Sequence, residues 1–400
     1  MTREGWPGKA ARLAACLAAA ALTACGGGGD AGNTAVADGD AAAGTAPAIA
    51  ASDWTWALPA HVSPPPVPAD NPMTQAKFEL GRSLFHDTRL SGTGIQSCAS
   101  CHRQDRGFTD GLPLSRGATG DLTARNSQPL ANVAWLPSLT WSRSDVITLE
   151  QQAEIPLFGT HPIEIGITDA NRETVLQTLR SDNRLRQQFE AAFPSVAAAG
   201  QDTVNLPHII QALATYQRGL ISFNSVFDQF LQGQATLEPA AERGRALFFG
   251  ERARCAQCHT ADHLGQPFVA PGFHNTGLYN LGGQGDYPAQ SPGLIEQTGL
   301  AADKGRFRVP SLRNAALTAP YLHDGSATTL AEVVAIYAAG GRVITEGPNA
   351  GDGRLNPFKN PTVQAIGEAG LTVGEQADLV AFLQSLTDTR FLQDPALGAP

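Results

Sequence analysis

The pentapeptide Cys98-Ala99-Ser100-Cys101-His102 recurs in kind as Cys255-Ala256-Gln257-Cys258-His259. Cys-x-x-Cys-His is the attachment signature of a c-type haem, because two thiols take the two vinyl groups of one porphyrin and the adjacent histidine reaches its iron. The chain is therefore expected to carry two covalently bound haem c groups. Cys98, Cys101, Cys255 and Cys258 would hold them, with His102 and His259 as axial ligands. The other two cysteines, Cys16 and Cys25, lie in the leader, which leaves no thiol for a structural disulfide. A redox pair would not need histidine next, twice, and a zinc ribbon needs its two pairs about 15 to 20 residues apart. Here 154 positions separate Cys101 from Cys255.

The start of the chain indicates where haem attachment occurs. Arg3, Lys9 and Arg12 form a basic region and Leu13 to Ala24 an apolar stretch, so residues 1–24 read as a signal peptide. The stretch is shorter than the roughly 20 apolar residues that span a bilayer. Leu22-Thr23-Ala24-Cys25 resembles a bacterial lipobox, in which Cys25 becomes the lipidated first residue; ordinary cleavage without lipid is the alternative. Residues 25–52 are nearly all Gly, Ala, Asp, Thr and Asn and form a flexible tether with little to bury. The expected location is periplasmic. The only membrane contact would be a lipid anchor in the outer membrane, since Gly26 does not look like an inner-membrane retention signal. Losing the leader removes three bases and one acid and takes the net charge from −9 to −11, which argues against a nucleic-acid partner.

The body is read as two domains. Gly81-Arg82-Ser83-Leu84-Phe85 precedes the first haem motif by 17 residues, and Gly244-Arg245-Ala246-Leu247-Phe248 precedes the second by 11. One unit thus occurs twice. Ile209, Leu213, Tyr216 and Leu220 share one helical face, and Leu379, Phe382, Leu383 and Leu386 follow the spacing of a buried stripe. Strand signals are scarce, while Gly and Pro total 69 residues. The expected fold is mainly α: two cytochrome c-like domains in tandem, each with one covalent c-type haem, joined by long irregular loops. The boundary falls in the polar stretch Gln232 to Glu238, giving a first domain at 53–231 and a second at 239–395.

Residue counts constrain the iron ligands. Met1 and Met73 are the only methionines, so neither motif has a methionine after it to serve as sixth ligand. No histidine lies between His102 and His161, and the first tyrosine is Tyr216, which leaves the first iron an open distal side. The second unit offers His263, His274, His323, Tyr279, Tyr287, Tyr321 and Tyr337, and inventory does not choose among them.

The run from Leu80 to Ser91, the first haem motif, Phe108-Thr109-Asp110-Gly111 and Val309-Pro310-Ser311-Leu312-Arg313-Asn314 resemble the bacterial dihaem cytochrome c peroxidase and MauG superfamily. The segments Asp70 to Thr74, Phe273 to Leu281 and Ser385 to Asp388 are similar to its MbnH-like branch. Members of that branch oxidise a tryptophan of a partner protein that handles copper. The resemblance implies that Tyr337 is the axial ligand of the second iron, at the site that holds methionine in peroxidases and tyrosine in MauG-like enzymes. It also implies that Gln152 and Glu164 are the distal glutamine and catalytic glutamate, although two extra residues between Pro156 and Glu164 leave room for His161 to share the role. Trp141 matches the tryptophan between the haems, with Trp135 as its rival. Asn126, Thr318 and Pro320 match a calcium site, the latter two through backbone carbonyls.

The function implied is a peroxidase that takes hydrogen peroxide at the first haem, with Glu164 moving the proton, and spreads two oxidising equivalents over both haems through Trp141. The expected reductant is a side chain, a tryptophan, of a partner protein, of the class of secreted copper-binding proteins. Two alternatives are a peroxidase fed by a small redox protein and a dihaem electron carrier with no enzymatic role. No tryptophan stands out as an exit for electrons: after the tether only Trp54, Trp56, Trp135 and Trp141 exist.

Overall fold

The repeated Gly-Arg-x-Leu-Phe segments each lie in a helix, and each glycine lets a second helix come unusually close. Gly81 sits in the helix Gln75–His86, which crosses the helix Leu206–Arg218. A Cβ at Gly81 would lie 2.0 Å from the Ala212 carbonyl oxygen, closer than any packed atom can approach. Gly244, in the helix Pro239–Phe249, meets the Asp378 carbonyl of the helix Val373–Gln384 at 1.9 Å in the same way. Leu206–Arg218 and Val373–Gln384 are the stripes expected from the sequence. Ile209, Leu213 and Tyr216 are buried in the first, and Leu379, Phe382 and Leu383 in the second, while Leu220 and Leu386 are buried just beyond the helix ends.

These helix pairs anchor two apolar cores. The first gathers Phe78, Leu84, Phe85, Phe108, Leu213 and Tyr216, and the second Phe248, Phe268, Ile366, Phe382 and Leu386. The chain end does not stay with the second core, because Phe391 and Leu397 pack into the first. Both cores belong to one unit that runs through to Pro400.

The computed structural model describes residues 53–260, 268 and 271–400. The leader, the whole of the tether with Cys25, and His263 lie outside them. Strands among the described residues are two short antiparallel pairs, Phe273–His274 with Phe307–Arg308 and Val343–Ile344 with Gly351–Asp352. The fold is otherwise helices and loops. No helix among the described residues is long and apolar enough to cross a membrane.

A second layer of repetition lies in the loops. Phe108 and Phe268, both fully buried, adopt a left-handed backbone with φ of 62° and 57°. Asn132 and Asn314 do likewise, with φ of 57° and 60°. Asparagine tolerates that conformation better than most residues, whereas phenylalanine there is strained and must be held by its surroundings. The two asparagines meet at Ser222: Asn132 Nδ2 donates to its carbonyl and Asn314 Nδ2 to its hydroxyl, at 2.8 and 3.0 Å. A fully buried ion pair, Arg313 with Asp228 at 2.9 Å, adds a further tie beside them.

Candidate functional site: two cavities with one shared wall

Each Cys-x-x-Cys-His segment forms one wall of a cavity. Cys98, Cys101 and His102 line the first, of about 300 Å³, and Cys255, Cys258 and His259 the second, of about 180 Å³. His102 Nδ1 donates to the Phe108 carbonyl at 2.9 Å, and His259 Nδ1 to the Phe268 carbonyl at 3.3 Å. The strained phenylalanines thus have a task, which is to aim these carbonyls. A carbonyl can only accept, so each imidazole carries its proton on Nδ1 and keeps the Nε2 lone pair for a metal. Burial holds both imidazoles neutral, that of His259 down to about 4.

The donor set fits haem and does not fit a bare metal. Burial pushes the Cys98 thiol up to about 12 and Cys101 to about 11, with Cys255 at about 12 and Cys258 also raised. Thiolates that bind zinc or drive redox exchange need the opposite shift. Among the described residues no three His, Cys, Asp or Glu side chains gather as a metal-binding group. Two further groups fit the carboxylates that a haem carries. Arg308 lines both cavities at 4% exposure and pairs with no carboxylate among the described residues. It donates to the Val309 and Thr140 carbonyls and to Gln128, and burial lowers it only to about 10, so it stays charged at neutral pH. His323 stacks on Phe307 at 3.7 Å and lines the second cavity, with its buried Nε2 lacking a hydrogen-bond partner among the described residues. Leaving such groups unpaired in the interior is costly, and an anion at the cavity relieves it. Sequence reading missed Arg308, because only the β-pairing of Phe307–Arg308 beside Trp141 turns it inward.

The far walls differ. In the first cavity the helix Leu149–Phe158 presents Leu149, Gln152, Ala153 and Pro156, one face at helical spacing. Thr148 caps that helix, accepting from Gln151 N at 3.2 Å. Glu164 joins this wall from the following loop, whose backbone is fixed by the bonds Ala118 N to Glu164 O and Ile165 N to Pro156 O. Burial raises the pKa of Glu164, which places its proton affinity nearer to neutral. The exposed His161 reaches the same rim.

In the second cavity the helix Leu330–Ala338 presents Leu330, Val333 and Tyr337. Of the other candidates, His274, His323 and Tyr321 also line it, but Tyr321 donates to the Ala315 carbonyl and His274 faces Asn360. Tyr279 and Tyr287 lie behind the wall, their hydroxyls donating to Asp324 and Asn275. Burial pushes the Tyr337 phenol well above its usual range, and negative charge at Cys258 and Cys255 would push it further in the same direction.

Trp141 lines both cavities, as do Asn126, Pro129 and Arg308. Its indole donates to the Asn126 carbonyl at 2.9 Å. The rival Trp135 lies elsewhere, packed on Phe223 and donating to Ser63. Asn126, Thr318 and Pro320 come together on one wall of the second cavity, although Asn126 Nδ2 donates to Leu112 and Pro113 carbonyls.

This arrangement has known counterparts. A family model for di-haem cytochrome c peroxidase matches residues 75–236. The cytochrome-c peroxidase IdrP1 of Denitromonas iodatirespirans is 36% identical over 89% of this chain and 94% of its own. The chain belongs to the di-haem cytochrome c peroxidase and MauG family. The methylamine utilization protein MauG of Methylophilus methylotrophus is 31% identical over 80% of this chain and 85% of its own. A crystallised MauG-like protein associated with microbial copper homeostasis superposes with a TM-score of 0.83, at 47% identity over 87% of this chain and 99% of that one. The mainly helical fold is that of the MauG-like dihaem proteins. The chain is accordingly a peroxide-using oxidoreductase of the peroxidase type with two haem cofactors, which sets aside the electron-carrier reading.

Proposed function

We propose that the protein is a MauG-like enzyme that reduces peroxide in the first cavity and withdraws the electrons from a side chain, a tryptophan, of a partner protein. A bound haem would supply a redox-active iron. In this reading Cys98 and Cys101 hold one haem covalently and Cys255 and Cys258 the other, within cytochrome c domains at 53–231 and 239–395, with His102 and His259 as proximal ligands. Glu164 takes a proton from one peroxide oxygen and returns it to the other, as its raised pKa suits. Gln152 orients the peroxide from the same wall. Tyr337 would bind the iron of the second haem, and Trp141 would carry electrons between the cavities. Asn126, Thr318 and Pro320 would hold a calcium ion.

The observation that carries this reading is the unequal pair of far walls on either side of one tryptophan: Gln152 and Glu164 in the first cavity, Tyr337 in the second, Trp141 in both. The likeness to a MauG-like protein associated with copper homeostasis supports a secreted copper-binding protein as the partner. Lipidation at Cys25 and a periplasmic site at the outer membrane complete the proposal. Relatives named cytochrome-c peroxidase support a second reading, in which a small redox protein donates the electrons.

The test combines spectroscopy and mass. The resting ferric protein is expected to show one high-spin and one low-spin haem by electron paramagnetic resonance, with Tyr337→Phe removing the low-spin signature. Peroxide added with a secreted copper-binding protein encoded nearby is expected to change that protein's mass at tryptophan. Two low-spin signals would reject the open first cavity. Fast steady turnover with a small cytochrome, and no mass change, would favour the second reading.

A further inference from the structure

A file of aromatic rings leads away from His102 to the edge of the structure. The His102 ring lies 6.4 Å from Phe85 by centroids, Phe85 4.9 Å from Tyr216, and Tyr216 5.5 Å from Phe78. Phe78 lies 5.0 Å from Trp54, and Trp54 5.7 Å from Trp56. Trp54 and Trp56 are half-buried, while Phe85, Phe78 and Tyr216 are core residues. The file therefore begins on the proximal side of the first cavity and ends in two indoles within reach of water.

The second unit lacks this route. Aligning Gly244 with Gly81 places Phe248 at the position of Phe85 and Ala241 at that of Phe78. Phe382, which crowds Gly244 as Tyr216 crowds Gly81, stands 5.1 Å from Phe248. Nothing oxidisable replaces Tyr216: from Phe382 the contacts lead on to phenylalanines, Phe227 at 5.3 Å and Phe249 at 6.1 Å, and not to a tyrosine or an indole. A packing role alone would be served equally well by aliphatic side chains in both units.

We infer that Trp54 and Trp56 form a redox site that passes electrons inward to the first haem pocket and accepts them from a one-electron donor protein at the surface. The inference rests on the proposed reduction of peroxide in that pocket. Turning one hydrogen peroxide into two waters takes up two electrons and two protons. Each electron is supplied at Trp56, whose radical cation releases its N–H proton to solvent and is refilled by the donor, while Trp54, its Nε1 buried, relays the electron and keeps its proton. Tyr216 conducts without storing charge. Its hydroxyl donates to the Leu397 carbonyl at 2.6 Å, and a carbonyl cannot take the proton that a phenol must lose when oxidised. With no donor present, one indole gives up both electrons and both protons and gains an oxygen atom from water. Indole and peroxide then become hydroxyindole and water.

The test uses the haem-loaded protein and less than one equivalent of peroxide with no donor, followed by peptide mass mapping. The expected result is oxygen added to Trp54 and Trp56, with Trp135, also half-buried but off the file, unmarked. Trp54→Phe should abolish the mark on Trp56, and Trp56→Phe, a change at the rim, should leave it on Trp54 alone. Equal marking of Trp135, or a mark on Trp56 that survives Trp54→Phe, would overturn the inference, since diffusing oxidant would then explain the damage. Haem absorbance followed in the same samples separates the two claims. If peroxide reacts and neither indole is marked, this inference fails alone; if peroxide does not react, the proposed function fails with it.

Discussion

The two cavities share a scaffold and differ where a sixth ligand or a substrate would stand. Gly81 and Gly244 admit the same helix crossing, Phe108 and Phe268 aim the same carbonyl at the proximal imidazole, and Asn132 and Asn314 turn the same loop. Besides the histidines, the lining of the first cavity carries an amide and a half-buried carboxyl, and that of the second a phenol on a helix. The lesson is that holding a haem and choosing its reactivity are separate tasks carried by separate segments. Changes in the far walls should therefore alter chemistry with little effect on stability, and changes in the shared scaffold should do the reverse.

The largest expected effect is at Glu164. On its proposed role as proton carrier, Glu164→Gln should slow the reaction with peroxide by about 10²- to 10⁴-fold, the usual contribution of a positioned acid-base group. Stopped-flow measurement of the haem absorbance change checks it, and a wild-type rate would remove Glu164 from the mechanism. The pH dependence has a definite sign. Glu164 must be ionised to take the first proton, so the rate should fall as pH drops through its raised pKa, above the value of about 4.3 for a free glutamate. The variant should lose that inflection. Stability runs the other way: the native state binds this proton more tightly than the unfolded chain, so the contribution is present at low pH and lost as pH rises through the folded pKa. At neutral pH Glu164→Gln should accordingly melt no lower than the parent.

The scaffold should respond in the opposite manner. Gly81→Ala and Gly244→Ala each force a methyl against a backbone carbonyl, and overpacking of this kind costs about 1–3 kcal/mol. Equal losses in thermal denaturation would support equivalence of the two units. A large loss at one glycine and none at the other would break it, because the crossing would then be essential to only one core.

Much of this was legible in sequence because local rules govern it. The haem motifs are contiguous, the Gly-Arg-x-Leu-Phe repeat lies within single helices, and Gln152 sits on a helix face readable from its spacing. What was not legible depends on loop paths. In the sequence only the family resemblance favours Trp141 over Trp135, and it is the strand Phe307–Arg308, whose Arg308 N bonds to the Trp141 carbonyl, that places it against both cavities. Arg308 itself carries no motif. Trp54 and Trp56 do not stand out in the sequence as an exit for electrons, and their place in the ring file depends on the packing of Trp54 against Phe78.

The smallest effect on peroxide itself is expected at the shared wall, and it is the most direct probe of the comparison. Trp141→Phe keeps an aromatic ring between the cavities but removes the indole N–H that donates to Asn126 and the ring most easily oxidised. If the first cavity alone performs the peroxide chemistry, the rate of peroxide consumption should stay close to that of the parent. If the second cavity stores an equivalent through Trp141, the spectral change at the second haem should slow or vanish in the variant while that at the first persists. Measured separately by rapid-scan absorbance and by freeze-quench paramagnetic resonance, these two signals distinguish a relay from a packing residue. A variant in which both haems still respond together would show that the cavities communicate by another path, and Arg308, which lines both cavities along with Asn126 and Pro129, would be the next to test.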